Sequence, residues 1–425
     1  MAVAAVEQAR RGWSHISVMF RDPMESLALE WLNLLGRWVH VIAAIMWIGD
    51  SFLFMWMDSH LVPPSRPREG AVAGELWMVH SGGFYEVVKR RYLAPNEMPA
   101  ALHWFKWQAY MTWLSGFFLL VVVYYLGGSA YLTDPAVANL SGGAAIAISL
   151  GIFVVTWLIY DGLWMSPLGR QPKMANLLSC ALVVALIYTL TQLYSGRAAY
   201  LLTGATIGTV MAANVWRRII PSQNQMLAAT RAGTEVDVSL GLRAKQRSIH
   251  NHYITLPVLF TMLSIHFPST YGNSDKGFVL VLVMVVGVIG KYVMNYQSRS
   301  NKLVVAAGVA ALIGVVSLTV RDTQPVGAAG GPSGGPPVAF TEAQAIIERR
   351  CVNCHATKPA NPSFPQPPNG VTLEDPERIQ ALADRILVRA VTTKTMPLGN
   401  LTGMTDEERA TLGAWIGQGA KVEGQ

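Results

Sequence analysis

The sequence predicts a mainly α fold: a polytopic transmembrane helical bundle of about eight spans, followed by a small all-α domain. Three observations carry this prediction. The chain is 52% hydrophobic and only 14% charged, too apolar for an ordinary soluble protein of 425 residues. About eight stretches supply the roughly 20 apolar residues a helix needs to cross a bilayer. Beyond the last of them the composition changes, first to a Gly/Pro-rich run and then to amphipathic, charged sequence.

Residues 1–29 form an N-terminal extension carrying Arg10, Arg11 and Arg21; it reads as an interfacial segment or as a start placed too far upstream of Met24. The first apolar segment, Trp31 to Met57, is too long for the core of a signal peptide. No small-residue cleavage site follows it, so it is expected to be retained as a span. A transmembrane domain is therefore expected over residues 30–321, with spans near 30–57, 104–127, 143–165, 174–195, 198–217, 249–268, 277–297 and 302–320.

Loop charge orients these spans. The first loop carries Arg66, Arg68, Lys89, Arg90 and Arg91, the third Arg170 and Lys173, the fifth Arg217, Arg218, Arg231, Arg243, Lys245 and Arg247, and the seventh Arg299 and Lys302. The second loop, Gly128 to Gly142, has no Lys or Arg, and the fourth and sixth have one basic residue each. Every second loop is basic, which by the positive-inside rule puts those loops in the cytoplasm. Both termini are then expected to be periplasmic, in a multi-pass protein of a bacterial inner membrane. The net charge of +7 is thus spent on topology, and no nucleic-acid partner is expected.

Residues 322–337 form a Gly/Pro-rich linker without hydrophobic anchors, expected to be flexible enough for the C-terminal domain to swing. That domain, at 338–425, begins with a helix over Thr341 to Arg350. A second is opened by Pro376 and runs to about Val391, and a third starts at the capping box Thr405-Asp-Glu-Glu408. Between the first two lies Cys351-Val-Asn-Cys354-His355, the spacing by which two thiols bind a c-type haem covalently while the adjacent His ligates its iron. A redox dithiol or half a zinc site are the other readings, and no second Cys/His pair at zinc spacing is present. The fold class is thus completed by a small all-α cytochrome c domain. Met396 is the expected second axial ligand, a thioether in a Gly-containing loop; Met404, directly before a helix cap, is expected to be packing. Pro359 to Pro368 reads as a wrap around the haem edge or a plain surface loop. Cys180, alone in an apolar stretch, reads as an inert core thiol.

The membrane part shows no phosphate-binding or serine-nucleophile motif. It does hold ionisable residues at membrane depth. His40 lies in the first span; His103, His250 and His252 are placed at cytoplasmic helix ends, and His266 near the outer end of the sixth span. Asp50, Asp161 and Lys291 sit inside or at the edge of apolar spans, where a charge costs about 2.5–3.5 kcal/mol, so they are expected to pair or to line a cavity. Glu75 to Val88 alternates around a Gly-Gly turn like a β-hairpin. It lies within a first loop of about forty-five residues, long enough to be a functional lid, with His80 beside the turn. These histidines could ligate a haem b, act as acid–base groups, or simply face water and headgroups. The working assignment takes His80, His103, His250 and His252 as catalytic candidates, and His40 and His266 as candidate haem b ligands.

Gly36-Arg-Trp-Val-His40, Met46-Trp-Ile-Gly49, His80-Ser-Gly-Gly-Phe-Tyr85, Leu102-His-Trp-Phe-Lys-Trp107, Thr112-Trp-Leu-Ser-Gly116 and His250-Asn-His-Tyr-Ile-Thr-Leu-Pro257 resemble the membrane-bound urate hydroxylases of bacteria. In that family a urate-oxidase N-terminal membrane domain is fused to a C-terminal cytochrome c, and the resemblance covers nearly all of the chain beyond Met24. It implies oxidation of urate to 5-hydroxyisourate with water as oxygen source. Electrons would leave through the haem c to a soluble cytochrome c or terminal oxidase. A cytoplasm-facing site would need a relay such as haem b across the lipid bilayer. Other readings are a quinol–cytochrome c oxidoreductase, an oxidase subunit, or a membrane-anchored electron carrier. Assembly as a homo-oligomer stays open.

Overall fold

The computed structural model describes residues 23–126, 131–296, 300–323, 336–361, 364 and 366–422. The first 22 residues and most of the expected linker, 324–335, lie outside the described residues. Helix α1, Pro23–His60, leads into a β-hairpin of β1, Val72–His80, and β2, Gly83–Arg90. Then come α2 (Trp107–Leu120, extended by a wide turn through Tyr125), α3 (Gly142–Met165), α4 (Pro172–Leu193) and α5 (Gly196–Asn214). A second wide turn joins α5 to α6 (Ile220–Ala232), and α7 (Val238–Leu263), α8 (Lys276–Tyr296) and α9 (Lys302–Thr323) complete the bundle.

Seven helices among the described residues are long and apolar enough to cross a membrane. The expected sixth span does not qualify. It lies on α7, where Arg243, Lys245, Arg247, His250, Asn251 and His252 dilute the apolar character. The polar residues are tolerated because α7 packs inside the bundle against α5 and α8, burying Arg247, Asn251, His252 and Thr255. The fifth span also outruns its expected end near 217, since the helix continues to Ala232. Around the perimeter large apolar side chains face outward, such as Trp38 at 64%, Ile45 at 65% and Leu177 at 65% exposed. A soluble monomer would not leave so much apolar surface in water, whereas lipid accepts it.

The two sets of loops gather at opposite ends. At one end Ser195 bonds the backbone of Tyr131 and Leu132, Tyr200 donates to the carbonyls of Thr270 and Lys276, and Asn273 donates to Leu318. At the other, Asp58 of α1 pairs with Lys89 of the hairpin and Lys245 of α7. Two of the basic loops, the first and the fifth, are therefore tied together through Asp58. Close helix approaches use glycine. A Cβ on Gly287 would fall 2.7 Å from the Pro257 ring, and one on Gly204 only 1.8 Å from Thr261 Oγ1.

The hairpin forms as its alternation predicts, but the turn residues are Ser81 and Gly82, both at positive φ, and Gly83 opens β2. Glu75 anchors it, accepting from Ser65 N at 2.8 Å and Arg68 Nε at 2.9 Å.

The C-terminal module is all-α. Helix α10 spans Phe340–Arg350, α11 spans Pro376–Ala381, and α12 spans Asp406–Gly417. The expected single helix from Pro376 to Val391 breaks at Leu382 and resumes through Ala383–Ile386 into a wide turn to Thr392. The Thr405–Glu408 capping box is present, with Glu408 N donating to Thr405 Oγ1 and Thr405 N to Glu408 Oε2. Ile347, Ile379, Leu412 and Trp415 form its core, together with Met404 at 3% exposure. Cys180, in contrast, is exposed on α4, so it belongs to the perimeter and not to the core.

Candidate functional site

A partly open cavity of about 360 Å³ lies between α1, α2, α5 and α7, within the range of small-molecule sites. Its wall is mostly apolar, with Trp47, Trp113 and Phe117 as flat surfaces and a few polar groups: Arg37, His40, Tyr124, Arg197 and His266. Three helix-borne choices shape it. Gly116 lets the His40 ring lie against α2, since a Cβ there would sit 2.9 Å from His40 Cε1. Gly204 lets α5 meet α7. Trp113 is fixed by donating Nε1–H to Thr209 Oγ1 at 3.1 Å and by lying parallel to Phe117, with ring centres 5.4 Å apart.

His40 has a defined tautomer. Its Nδ1 is 3.0 Å from the Thr112 carbonyl, which can only accept, so Nδ1 carries the hydrogen and Nε2 the lone pair. Ser115 Oγ lies 3.1 Å from the same nitrogen. Segments 36–40 and 112–116, far apart in the chain, are thus one piece of cavity wall.

Arg197 is the residue that pattern reading misses. It is the single basic residue of the expected fourth loop, and that isolation is the available signal. It lies at the start of α5, and its guanidinium carbon lies 4.7 Å from the Tyr131 ring centre. Its guanidinium lies beside the Tyr124 hydroxyl, its Nε and that hydroxyl are both buried, and both residues line the cavity. A largely buried guanidinium whose described partners are tyrosines and not a carboxylate favours an anion.

The remaining histidines disperse. His80 ends β1 and His103 sits in the stretch before α2, both exposed. His250 and His252 are not at a helix end, because α7 begins at Val238; they lie inside the bundle on different faces. His250 Nδ1 is 2.7 Å from Tyr160 Oη and packs on Trp164. His252 is fully buried, with Nε2 3.0 Å from Asn295 Oδ1 and Phe52 against its edge. No hydrogen bond or ring contact joins any two of these four among the described residues. His40 and His266, by contrast, share the wall of one cavity.

The intramembrane charges sort in three ways. Asp161 accepts from Arg218 Nε at 2.8 Å and from Arg247 Nη2 at 2.9 Å. Lys291 Nζ lies 3.1 Å from the centre of the Phe52 ring, a cation–π contact. Asp50 leaves Oδ2 buried without a hydrogen-bond partner.

In the module, His355 Nδ1 faces the Val371 carbonyl at 2.9 Å, which fixes the hydrogen on Nδ1 and leaves Nε2 free to bind a metal. Asn361 Nδ2 donates to Cys354 Sγ at 3.4 Å. Burial pushes the Cys351 thiol up to about 12. No cluster of three metal-ligating His, Cys, Asp or Glu residues occurs among the described residues. Two thiols, a pre-oriented imidazole, and Met396 partly buried against the module core form a donor set that fits a covalently attached haem. The Met396 loop is held by Arg409, which donates Nη1 to the Met396 carbonyl at 2.7 Å.

A family model described as Urate oxidase N-terminal matches residues 26–321. The chain belongs to that family. The match runs from α1 through α9 and stops short of the module, so the cavity, the Asp161 network and all the bundle histidines fall inside it. Membership points to a urate-related oxidase. No curated protein and no solved structure matches the chain.

Proposed function

We propose that this urate oxidase family member is a membrane oxidoreductase that oxidises urate to 5-hydroxyisourate in the bundle cavity and passes the electrons to a haem c in its C-terminal module. One observation carries the reading: Arg197 both lines the cavity and stacks on Tyr131, and Tyr131 touches Phe364 of the module that bears Cys351, Cys354 and His355. The cavity and the module that bears the expected electron exit are thus linked through two side chains in contact, Arg197 and Tyr131. The reaction balances as urate plus water giving 5-hydroxyisourate, two protons and two electrons.

The chain's own groups fit these demands. Urate is a planar anion at neutral pH. Arg197, with Arg37, supplies positive charge at the cavity end nearest the module, reinforced by the N-terminus of α5. The parallel Trp113–Phe117 pair offers a flat face for the purine. His40, with its Nε2 lone pair, is placed to accept a proton as the purine is oxidised and water adds. A haem held by Cys351, Cys354, His355 and Met396 would supply a one-electron acceptor of raised potential. A site in this half of the bundle removes the need for a relay across the whole membrane. Loop charge supports a reading in which this end, both termini and the module face the periplasmic side of a bacterial inner membrane.

A second reading has one observation in its favour: His40 and His266 share the cavity wall, so a haem b could occupy it, leaving urate to the histidines nearer the opposite end. Anaerobic membranes separate these. Under the proposal urate reduces the haem c α-band, Arg197→Met and His40→Ala suppress that reduction, and a pyridine haemochrome shows haem c alone. Haem b in a pure, active preparation moves the cavity to the second reading. Reduction by quinol with indifference to urate overturns the function.

A further inference from the structure

The C-terminal module does not stand apart from the bundle. Phe364, from the Pro-rich stretch after the Cys351–His355 motif, meets Tyr131 edge-to-face with ring centres 6.0 Å apart. Arg389 Nη1 donates to Tyr271 Oη at 3.3 Å. Gly272 lies so close beneath the module that a Cβ on it would fall 2.6 Å from Thr395 Cγ2 and 2.8 Å from Thr393 Cβ. These three contacts engage two bundle loops and two separate stretches of the module, enough to fix orientation as well as position.

The bundle side of this surface is rigid. Tyr131 and Leu132 are bonded through their carbonyls to Ser195, and Leu132 is fully buried. Tyr200 clamps the 270 loop from beneath. The module side leads directly to the motif: Phe364 N donates to the Asn361 carbonyl, and Asn361 donates to Cys354 Sγ. Below the surface Tyr131 packs on Tyr124, 6.0 Å between centres, and Tyr124 lines the cavity.

We propose that the module works from this docked position, a partner surface for the bundle within the same chain, and that Tyr124, Tyr131 and Phe364 form its electron-transfer junction. Tunnelling falls off exponentially with distance and most steeply across empty gaps. Ring-on-ring packing from the cavity to the Cys354 side of the motif therefore gives a shorter coupled route than a module swinging on its linker. Each urate yields two electrons, which would cross one at a time to a ferric haem held by Cys351, Cys354 and His355. An external one-electron acceptor, a soluble cytochrome c or terminal oxidase, reoxidises the module between the two. Tyr131 and Phe364 are positioning residues that set coupling and take no proton. This inference rests on the proposed function for its electrons, but the docking itself does not.

The test locks the surface. In full-length protein carrying Cys180→Ser, the pair Gly272→Cys and Thr393→Cys is oxidised in membranes, and a protease site inserted in residues 324–335 is then cut. Docking predicts that bundle and module stay joined on a non-reducing gel, with or without urate. The locked protein should keep its urate-dependent haem c reduction within about two-fold. Absence of the cross-link, or a locked protein reduced by dithionite but no longer by urate, overturns the proposal. If the cysteine pair impairs folding, Phe364→Ala provides the second measurement. It should slow urate-driven reduction at least ten-fold while leaving the haem c midpoint potential and dithionite reduction unchanged, and Phe364→Trp should restore the rate. An unchanged rate in Phe364→Ala overturns the junction. Failure of urate to reduce the wild-type haem sinks the proposed function instead, and the cross-link then still reports on docking.

Discussion

Asp161 offers the sharpest physical test of the bundle. Its carboxylate is 7% exposed, and two guanidiniums share it: Arg247, itself 4% exposed, and Arg218, whose side chain is about a third exposed. Replacing Asp161 by Ala leaves Arg247 buried with no counter-charge. Its Nη1 already lacks a hydrogen-bond partner, so only the face of Tyr160, 4.8 Å away, remains. Breaking a buried pair by removing one partner costs about 3–5 kcal/mol. The Arg218 arm adds little, because an exposed pair contributes at most about 1 kcal/mol and Arg218 can turn to water. The expected loss for Asp161→Ala is therefore about 3–5 kcal/mol, nearly all of it from the stranded Arg247. Adding Arg247→Met should recover most of that loss, because the uncompensated cation is gone. Denaturation in mixed micelles measures the single and double variants, with thermal unfolding in detergent as a ranking check. A loss below about 1 kcal/mol for Asp161→Ala, or a double variant as unstable as the sum of the singles, would refute the buried-pair argument.

Three further outcomes are expected from the geometry. Gly116→Ala should displace the His40 ring, whose Cε1 would lie 2.9 Å from the new methyl, and abolish urate-dependent reduction while the protein still inserts and keeps its haem; unchanged turnover would remove His40 from the cavity argument. Glu75 is held below the usual carboxylate range by its hydrogen bond from Ser65 N and by Arg68. Its contribution is thus present above the unfolded carboxylate pKa and is lost as pH falls through the lower folded value. Hairpin amide protection should collapse only in that acidic window, and Glu75→Gln should flatten the dependence. Thr405→Ala removes one side of the capping box and should cost about 1 kcal/mol, read as faster amide exchange over residues 406–417 in the full-length protein.

Much of the architecture is legible because it is local. Apolar length sets the spans, basic residues mark one set of loops, and Thr405 to Glu408 closes a capping box within four residues. Cys351, Cys354 and His355 announce their chemistry by spacing alone. Local reading fails where polarity inside a helix is compensated from elsewhere. It misplaces the start of α7 because Arg247 and His252 resemble a loop edge, whereas Asp161 and Asn295 make their burial tolerable. It takes Cys180 for core because its neighbours are apolar, but a lipid-facing surface is equally apolar.

Residue order alone is enough for a helical bundle of membrane-grade apolarity, a sided arrangement of loops and a CxxCH-bearing module at its end. Which polar groups meet is a matter of packing. His40 lies against Gly116 across 76 positions, Asp161 holds Arg247 across 86, and Tyr131 meets Phe364 across a still longer separation. No local preference encodes such pairs. They arise when helices of fixed length pack at the few close approaches their glycines permit, and the cavity is the space those approaches leave open.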